Sequence, residues 1–161
     1  MGSVVRAYFE ALNEGDVERA VSYWKDGARQ NVRGQVDTTA PAGVSEQMHT
    51  LFAAVPDARF ELVSVTEDAG RCAVQWRLTG TFDGDGLLYG VRPTGTAVVL
   101  EGADIFDVSA GEIHANNAFS DSLEFVRQIG MMPPRDSPFE RLMTGAFNLR
   151  TRLRAALRRR R

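Results

Sequence analysis

One cysteine, two histidines and one lysine are all that 161 residues contain of those three types, and each scarcity closes off a kind of chemistry. Cys72 has no second thiol for an intramolecular disulfide, so no oxidising compartment is required, and its setting in RCAVQW points to a buried strand position. Neither His49 nor His114 has a Cys or His partner at metal-ligand spacing, so no metal centre is expected. GxGxxG and GxxxxGK[ST] stretches are missing, which leaves no backbone cradle for the phosphates of a nucleotide cofactor, and no cofactor is expected. There is no G-x-S-x-G elbow for a serine nucleophile. No apolar run approaches the length of a membrane span, and the first residues lack the apolar core of a signal peptide, so a soluble, cytoplasmic protein is expected. Eighteen Arg against the lone Lys25 suggest a GC-rich bacterial genome.

What the chain does have is charge, unevenly placed. Residues 135 to 161 hold nine Arg against Asp136 and Glu140, a net of +7, whereas residues 1 to 134 have a net of −9. An acidic body has no phosphate-neutralising face of its own, so nucleic acid is not an expected partner. With 43% hydrophobic residues, the length suits one core and not two. The expected division is a domain over 1 to 134 and a basic amphipathic helix or tail over 135 to 161.

Val4, Val5, Tyr8, Phe9 and Leu12 fall at helical spacing and end in the turn NEGD. Asp16 can cap a second helix carrying Val17, Ala20, Val21 and Trp24. A short strand follows, then a third helix over 42 to 54 with Met48, Leu51 and Phe52 inward, stopped by VPDA. From residue 58 the period changes to two: RFELVSV, RCAVQWRLTGTF, TAVVLEGADIFDV and EIHANNAF alternate and are separated by Gly-containing turns. Asp121 and Glu124 form a capping box that opens a helix over 122 to 129. This order predicts an α+β domain in which a strongly bent sheet wraps over the N-terminal helices.

In that order, the segments YFEALNEGDVERAVSYW, GTFDG, GVRPTG, GADIFDVSAGEI and FVRQIGMMPP resemble the SnoaL-like polyketide cyclase group. That group belongs to the nuclear transport factor two-like superfamily, which also holds ketosteroid isomerase and limonene epoxide hydrolase. The resemblance implies a cone-shaped curved mixed sheet around an apolar cavity, and a homodimer. It also places residues. Tyr8 stands where ketosteroid isomerase has the tyrosine that donates to the developing oxyanion, and Asp104 where that enzyme has its protonated aspartic acid. The position of the general base falls near Asn31 or Val32, neither of which takes a proton at useful pH. Where related cyclases and hydrolases place an acid in the last strand, this chain has Asn116 or Asn117, and Phe82 replaces a histidine found in many members.

Each candidate has a plainer alternative. A carboxyl between Ala103 and Ile105 must be paired, protonated or facing water, and Arg29, Arg33 and Arg77 are possible ion-pair partners for Asp104. Tyr8 is core filling or a phenol aimed at an acceptor, with Asp104 a possible one. Strand alternation puts His114, Asn116, Ala118 and Ser120 on one face, which the resemblance turns toward the cavity, although His114 near the strand start also suits a surface role. Trp24 and Trp76 are cavity walls or core, and Phe106 belongs with them.

The expected catalytic set is therefore Asp104, Tyr8 and Asn31, and the expected binding set is Asn116, Trp24, Trp76, His114, Phe106 and Ala118. Three functions stay open. One is an enzyme in the cyclase, isomerase or epoxide hydrolase range acting on an apolar polyketide-, steroid- or terpene-like substrate. The second is a non-catalytic binding protein for an apolar metabolite, and the third an interaction protein whose cone only scaffolds the tail. The tail, with apolar residues from Phe139 to Leu157 at helical spacing and arginines between them, suits docking on the acidic body or a dimer partner, weak contact with a membrane surface, or a free tail.

Overall fold

The computed structural model describes residues 2–158, apart from the side chain of Ala156. Five helices and six strands follow one another as α1 (Gly2–Asn13), α2 (Val17–Val21), β1 (Trp24–Val32), β2 (Val36–Thr39), α3 (Ala42–Ala54), β3 (Arg59–Asp68), β4 (Arg71–Phe82), β5 (Thr96–Ser109), β6 (Glu112–Ser120), α4 (Ser122–Gln128) and α5 (Pro138–Arg158). The strands form one sheet in the order β2-β1-β6-β5-β4-β3, antiparallel except where β1 meets β6. It is an α+β cone in which the curved sheet closes over α1.

Period-two patterning decides which face of each strand is inside. On β4, Cys72, Val74, Trp76, Leu78 and Phe82 are buried while their neighbours are not. On β5, Val98, Asp104, Phe106 and Val108 are buried in the same phase, with Asp104 opposite Val74 and Phe106 opposite Cys72. Helix α1 lays Val5, Tyr8, Phe9 and Leu12 against this concave face. An aromatic cluster fills the contact, with Tyr8, Phe9, Trp24 and Phe106 meeting edge to face at centroid distances from 5.3 to 6.4 Å. Edge-on pairs of this kind add about 0.5–1.5 kcal/mol each beyond the area they bury.

Three details differ from expectation. Helix α2 ends at Val21, and Trp24 opens β1 instead of extending the helical stripe. β2 is an additional short strand that hairpins onto β1. Strand β6 also carries a bulge: Asp107 pairs with Ala115 and Val108 with Ile113, so His114 is the extra residue. The bulge resets the alternation, and Ile113 is fully buried where a regular strand would turn it outward.

Apart from half-buried Glu140, the described side chains of helix α5 are exposed, and none of its described apolar side chains enters the core. Its attachment is local. Arg127 of α4 pairs with Glu140 at 2.6 Å, and Glu140 also accepts from the Asp136 backbone. The docking on its own body allowed by the sequence is not seen, and residues 159–161, where the arginine run ends, lie outside the described residues.

Candidate active site

The concave face encloses a cavity of about 420 Å³, within the size range of small-molecule sites. Leu12, Met48, Leu78, Leu100 and Phe125 give it an apolar lining, and Asp104, Tyr8, Gln30 and Gln47 are polar groups on its wall. The turn between β4 and β5 folds over it as a flap. Leu88 and Val91 exchange backbone hydrogen bonds across Tyr89 and Gly90, both at positive φ, the geometry of a tight two-residue hairpin.

Asp104 lies midway along β5, in register with Val74 on one side and Ala118 on the other. Its diagonal neighbours hold it. Trp76 Nε1 donates to Oδ1 at 2.8 Å, and Asn116 Nδ2 donates to Oδ2 at 2.8 Å. Trp76 reaches across because its register partner is Gly102, where a side chain would sit only 2.3 Å from the indole ring. None of the arginines weighed as ion-pair partners approaches: Arg29 pairs with Asp37, Arg77 with Glu101 and Glu61, and Arg33 donates to Asn117. Asp104 is 7% exposed, and loss of water around it pushes its pKa up to about 6 against the opposing effect of the Trp76 and Asn116 hydrogen bonds.

The network continues through amides. Asn116 Nδ2 lies 3.4 Å from Gln30 Oε1, and Gln30 Nε2 donates to Gln47 Oε1 at 2.9 Å. Tyr8 lines the cavity, and its hydroxyl has no hydrogen-bond partner among the described residues. Burial, and secondly the Asp104 charge, raise its pKa well above the usual phenol value, so it is a neutral donor throughout the physiological range. The acceptor that sequence reasoning offered Tyr8 instead accepts from Trp76 and Asn116.

Of the nine residues singled out from the sequence, Tyr8, Asp104, Trp76 and Ala118 line the cavity. Asn116, 2% exposed, stands behind Asp104 and orients it. Trp24 and Phe106 are packed into the aromatic core beyond the cavity wall. His114 is carried away from the cavity by the bulge, with its Nε2 buried and unpartnered among the described residues. Asn31 is on the convex face beside Asp37, and Gln30 takes the inward place. Gln30 shares its phase with Ala28 and Val32, so alternation along β1 was the signal that could have found it. Gln47, the flap and Met131 had no such signal.

A family model for the SnoaL-like polyketide cyclases matches residues 2–129. The chain belongs to the SnoaL-like polyketide cyclase family. Solved structures agree in fold. AclR from Streptomyces galilaeus superposes with a TM-score of 0.72 at 19% identity, covering 82% of this chain and 96% of that one. A SnoaL-like protein from Jannaschia sp. CCS1 gives 0.72 at 23% identity, covering 81% and 92%. SalBIII, an epoxide hydrolase/cyclase-like enzyme of pyran ring formation in the polyether salinomycin, gives 0.64 at 21%, covering 76% and 92%. At these identities the likeness is one of fold. No curated protein matches the sequence. In this SnoaL-like cone, no group of His, Cys, Asp or Glu among the described residues is arranged to hold a metal ion.

Proposed function

We propose that the protein is a cyclase-type enzyme that closes a ring in an apolar, polyketide-like substrate by an aldol step, with Asp104 as its acid/base group and Tyr8 as its oxyanion donor. The observation that carries this is a carboxyl group with a pKa near 6 and no cationic partner among the described residues, on the wall of an apolar cavity shared with an unengaged phenol. A carboxylate poised close to neutrality is suited to take a proton and return it. It also supplies the base that the sequence, read by analogy with ketosteroid isomerase, lacked near residue 31.

In the reaction, the Asp104 carboxylate removes a proton from a carbon next to a substrate carbonyl. The Tyr8 hydroxyl donates a hydrogen bond to the enolate oxygen. The enolate carbon attacks a second carbonyl of the same molecule, forming a carbon–carbon bond and an alkoxide, and Asp104 gives its proton to that alkoxide. No proton is gained or lost overall. Trp76 and Asn116 fix the carboxylate, and each of its oxygens keeps a lone pair for the substrate proton. Gln30 and Gln47 orient polar groups of the substrate along the wall. Exposed Ile105 and Phe119 on the convex face support a homodimer formed through the sheet.

The test is protein-accelerated deuterium exchange at the α-carbon of a two-ring ketone, 2-tetralone, in deuterated buffer. Exchange should rise as a group near pH 6 ionises and disappear in Asp104→Asn. A wild-type rate equal to that of the variant would sink the catalytic reading. Retention of an apolar compound through native mass spectrometry by both proteins would then favour a binding protein, a reading supported by the apolar lining.

A further inference from the structure

We propose that α5 anchors the protein to an anionic lipid surface and sets the mouth of the cavity against it, so that the apolar ligand passes between lipid and cavity. Phe139, Leu142, Ala146, Leu149 and Leu153 repeat at intervals of three and four along α5 and form one stripe. Leu142 is 67% exposed, Leu149 60% and Leu153 58%, so a helix of about 30 Å leaves its apolar face uncovered. Helical periodicity puts Arg150 and Arg154 along one edge of the stripe and Arg152 along the other. Long aliphatic stems there can lie in the acyl region while the guanidinium groups reach the headgroups. Glu140, the only acid of α5, is engaged by Arg127.

Two alternative covers fit less well. Pairing two α5 helices in parallel through this stripe would bring Arg150, Arg152 and Arg154 of one copy against those of the other, a repulsive arrangement, and an antiparallel pair would set them along the other copy's first turns, where Glu140 is already held by Arg127. The convex sheet of a second copy offers few free anions along its middle, because Asp37 is paired with Arg29, Asp107 with Arg71, and Glu61 and Glu101 with Arg77. An anionic bilayer supplies both the apolar layer and the negative charge. The acidic body is then repelled from the surface while the basic helix is drawn to it, which orients the molecule.

That orientation concerns the cavity. Of its lining residues, Tyr89 on the flap is 54% exposed and Met131 is 65% exposed, which marks where it opens. Leu87, two residues before Tyr89 in the same turn, is 49% exposed and shares its surface with Asp83, Asp85 and Arg92. Met131 lies on the short connection between α4 and α5, and the Arg127–Glu140 pair ties the first turn of α5 to α4, whose Phe125 and Val126 line the same cavity. The mouth thus carries its own apolar rim next to the root of the basic helix. Anchoring stands on the helix alone, whereas ligand transfer rests on the proposed use of the cavity.

The experiment is flotation of the full chain with phosphatidylcholine vesicles, with and without phosphatidylglycerol. At least about tenfold more protein should float with the anionic vesicles, and high salt should reverse this. Leu142→Glu combined with Leu153→Glu, at exposed positions that leave the fold intact by circular dichroism, should abolish flotation. No binding, or equal binding to both vesicles, overturns the anchor. So does a dimer seen by native mass spectrometry that the double variant dissolves, since α5 would then cover a second copy. For orientation, an environment-sensitive dye on Leu87→Cys should shift to the blue on anionic vesicles, and the same dye on Val63→Cys should not; buried Cys72 does not compete for label. An unshifted Leu87 probe on bound protein overturns the mouth-down arrangement. Deuterium exchange measured without vesicles keeps failure of the proposed chemistry separate from these results.

Discussion

Trp76 and Asp104 are joined by a 2.8 Å hydrogen bond from the indole Nε1 to the carboxylate Oδ1, made across the space left by Gly102. This bond favours the charged carboxylate and opposes the burial that raises its pKa. Trp76→Phe keeps a ring against Phe60 but removes the donor. A hydrogen bond to a charged group contributes about 1.5–3 kcal/mol, so the midpoint of the exchange profile should move up by about 1–2 pH units. An unmoved midpoint would show that the indole does not tune the acid.

Asp104 also makes stability depend on pH. Its folded pKa of about 6 lies above the ~3.9 of an exposed aspartate, so between those values the folded chain holds more protons than the unfolded one. Stability therefore falls as pH rises through this window and levels off above about pH 7, with a total loss on the order of 3 kcal/mol. Asp104→Asn removes the titration, and the unpartnered Asn116 Oδ1 can turn to accept from the new amide. The variant should match the wild type near pH 4 and exceed it in thermal stability at pH 8. A variant less stable at pH 8 contradicts the burial argument.

Tyr8 separates packing from chemistry. Its ring is held edge to face by Phe9, Trp24 and Phe106, while its hydroxyl has no partner among the described residues. Tyr8→Phe should melt within about 1 kcal/mol of the wild type and lose about 10²-fold or more in exchange rate. Loss of stability with retained exchange would reverse the assignment, making the phenol structural.

The fold was legible because its cues are local and repeated. Helical spacing from Val4 to Leu12, alternation in β4 and β5, and the Asp121 cap, whose side chain accepts from Glu124 N, each act over a few residues. Asp104 and Tyr8 came forward as cavity groups through the resemblance to ketosteroid isomerase, since spacing alone made Tyr8 one more apolar-face residue of α1 and Asp104 one more position in an alternating strand. What was not legible depends on tertiary pairing. The bulge at His114 arises from the partner strand β5, and a regular alternation cannot reveal it. The Trp76–Asp104 bond needs residues 28 positions apart in sequence to become diagonal neighbours. On β1 the ambiguity was a single residue of phase, which is enough to exchange Asn31 for Gln30 and move the side chain from one face of the sheet to the other.

That phase can be tested directly by a pair of adjacent substitutions. Gln30→Leu leaves Gln47 Oε1 and one Asn116 amide hydrogen without their partner inside the molecule. Buried groups so exposed to loss cost about 1–3 kcal/mol each, and a loosened Asn116 holds the ionised Asp104 less well. The variant should therefore melt earlier and show an exchange midpoint shifted upward. Asn31→Leu changes the convex face beside Asp37 and should leave the midpoint where it is, with a stability change within about 1 kcal/mol. If instead Asn31→Leu moves the midpoint and Gln30→Leu does not, β1 presents its other face to the cavity and the amide relay behind Asp104 does not exist.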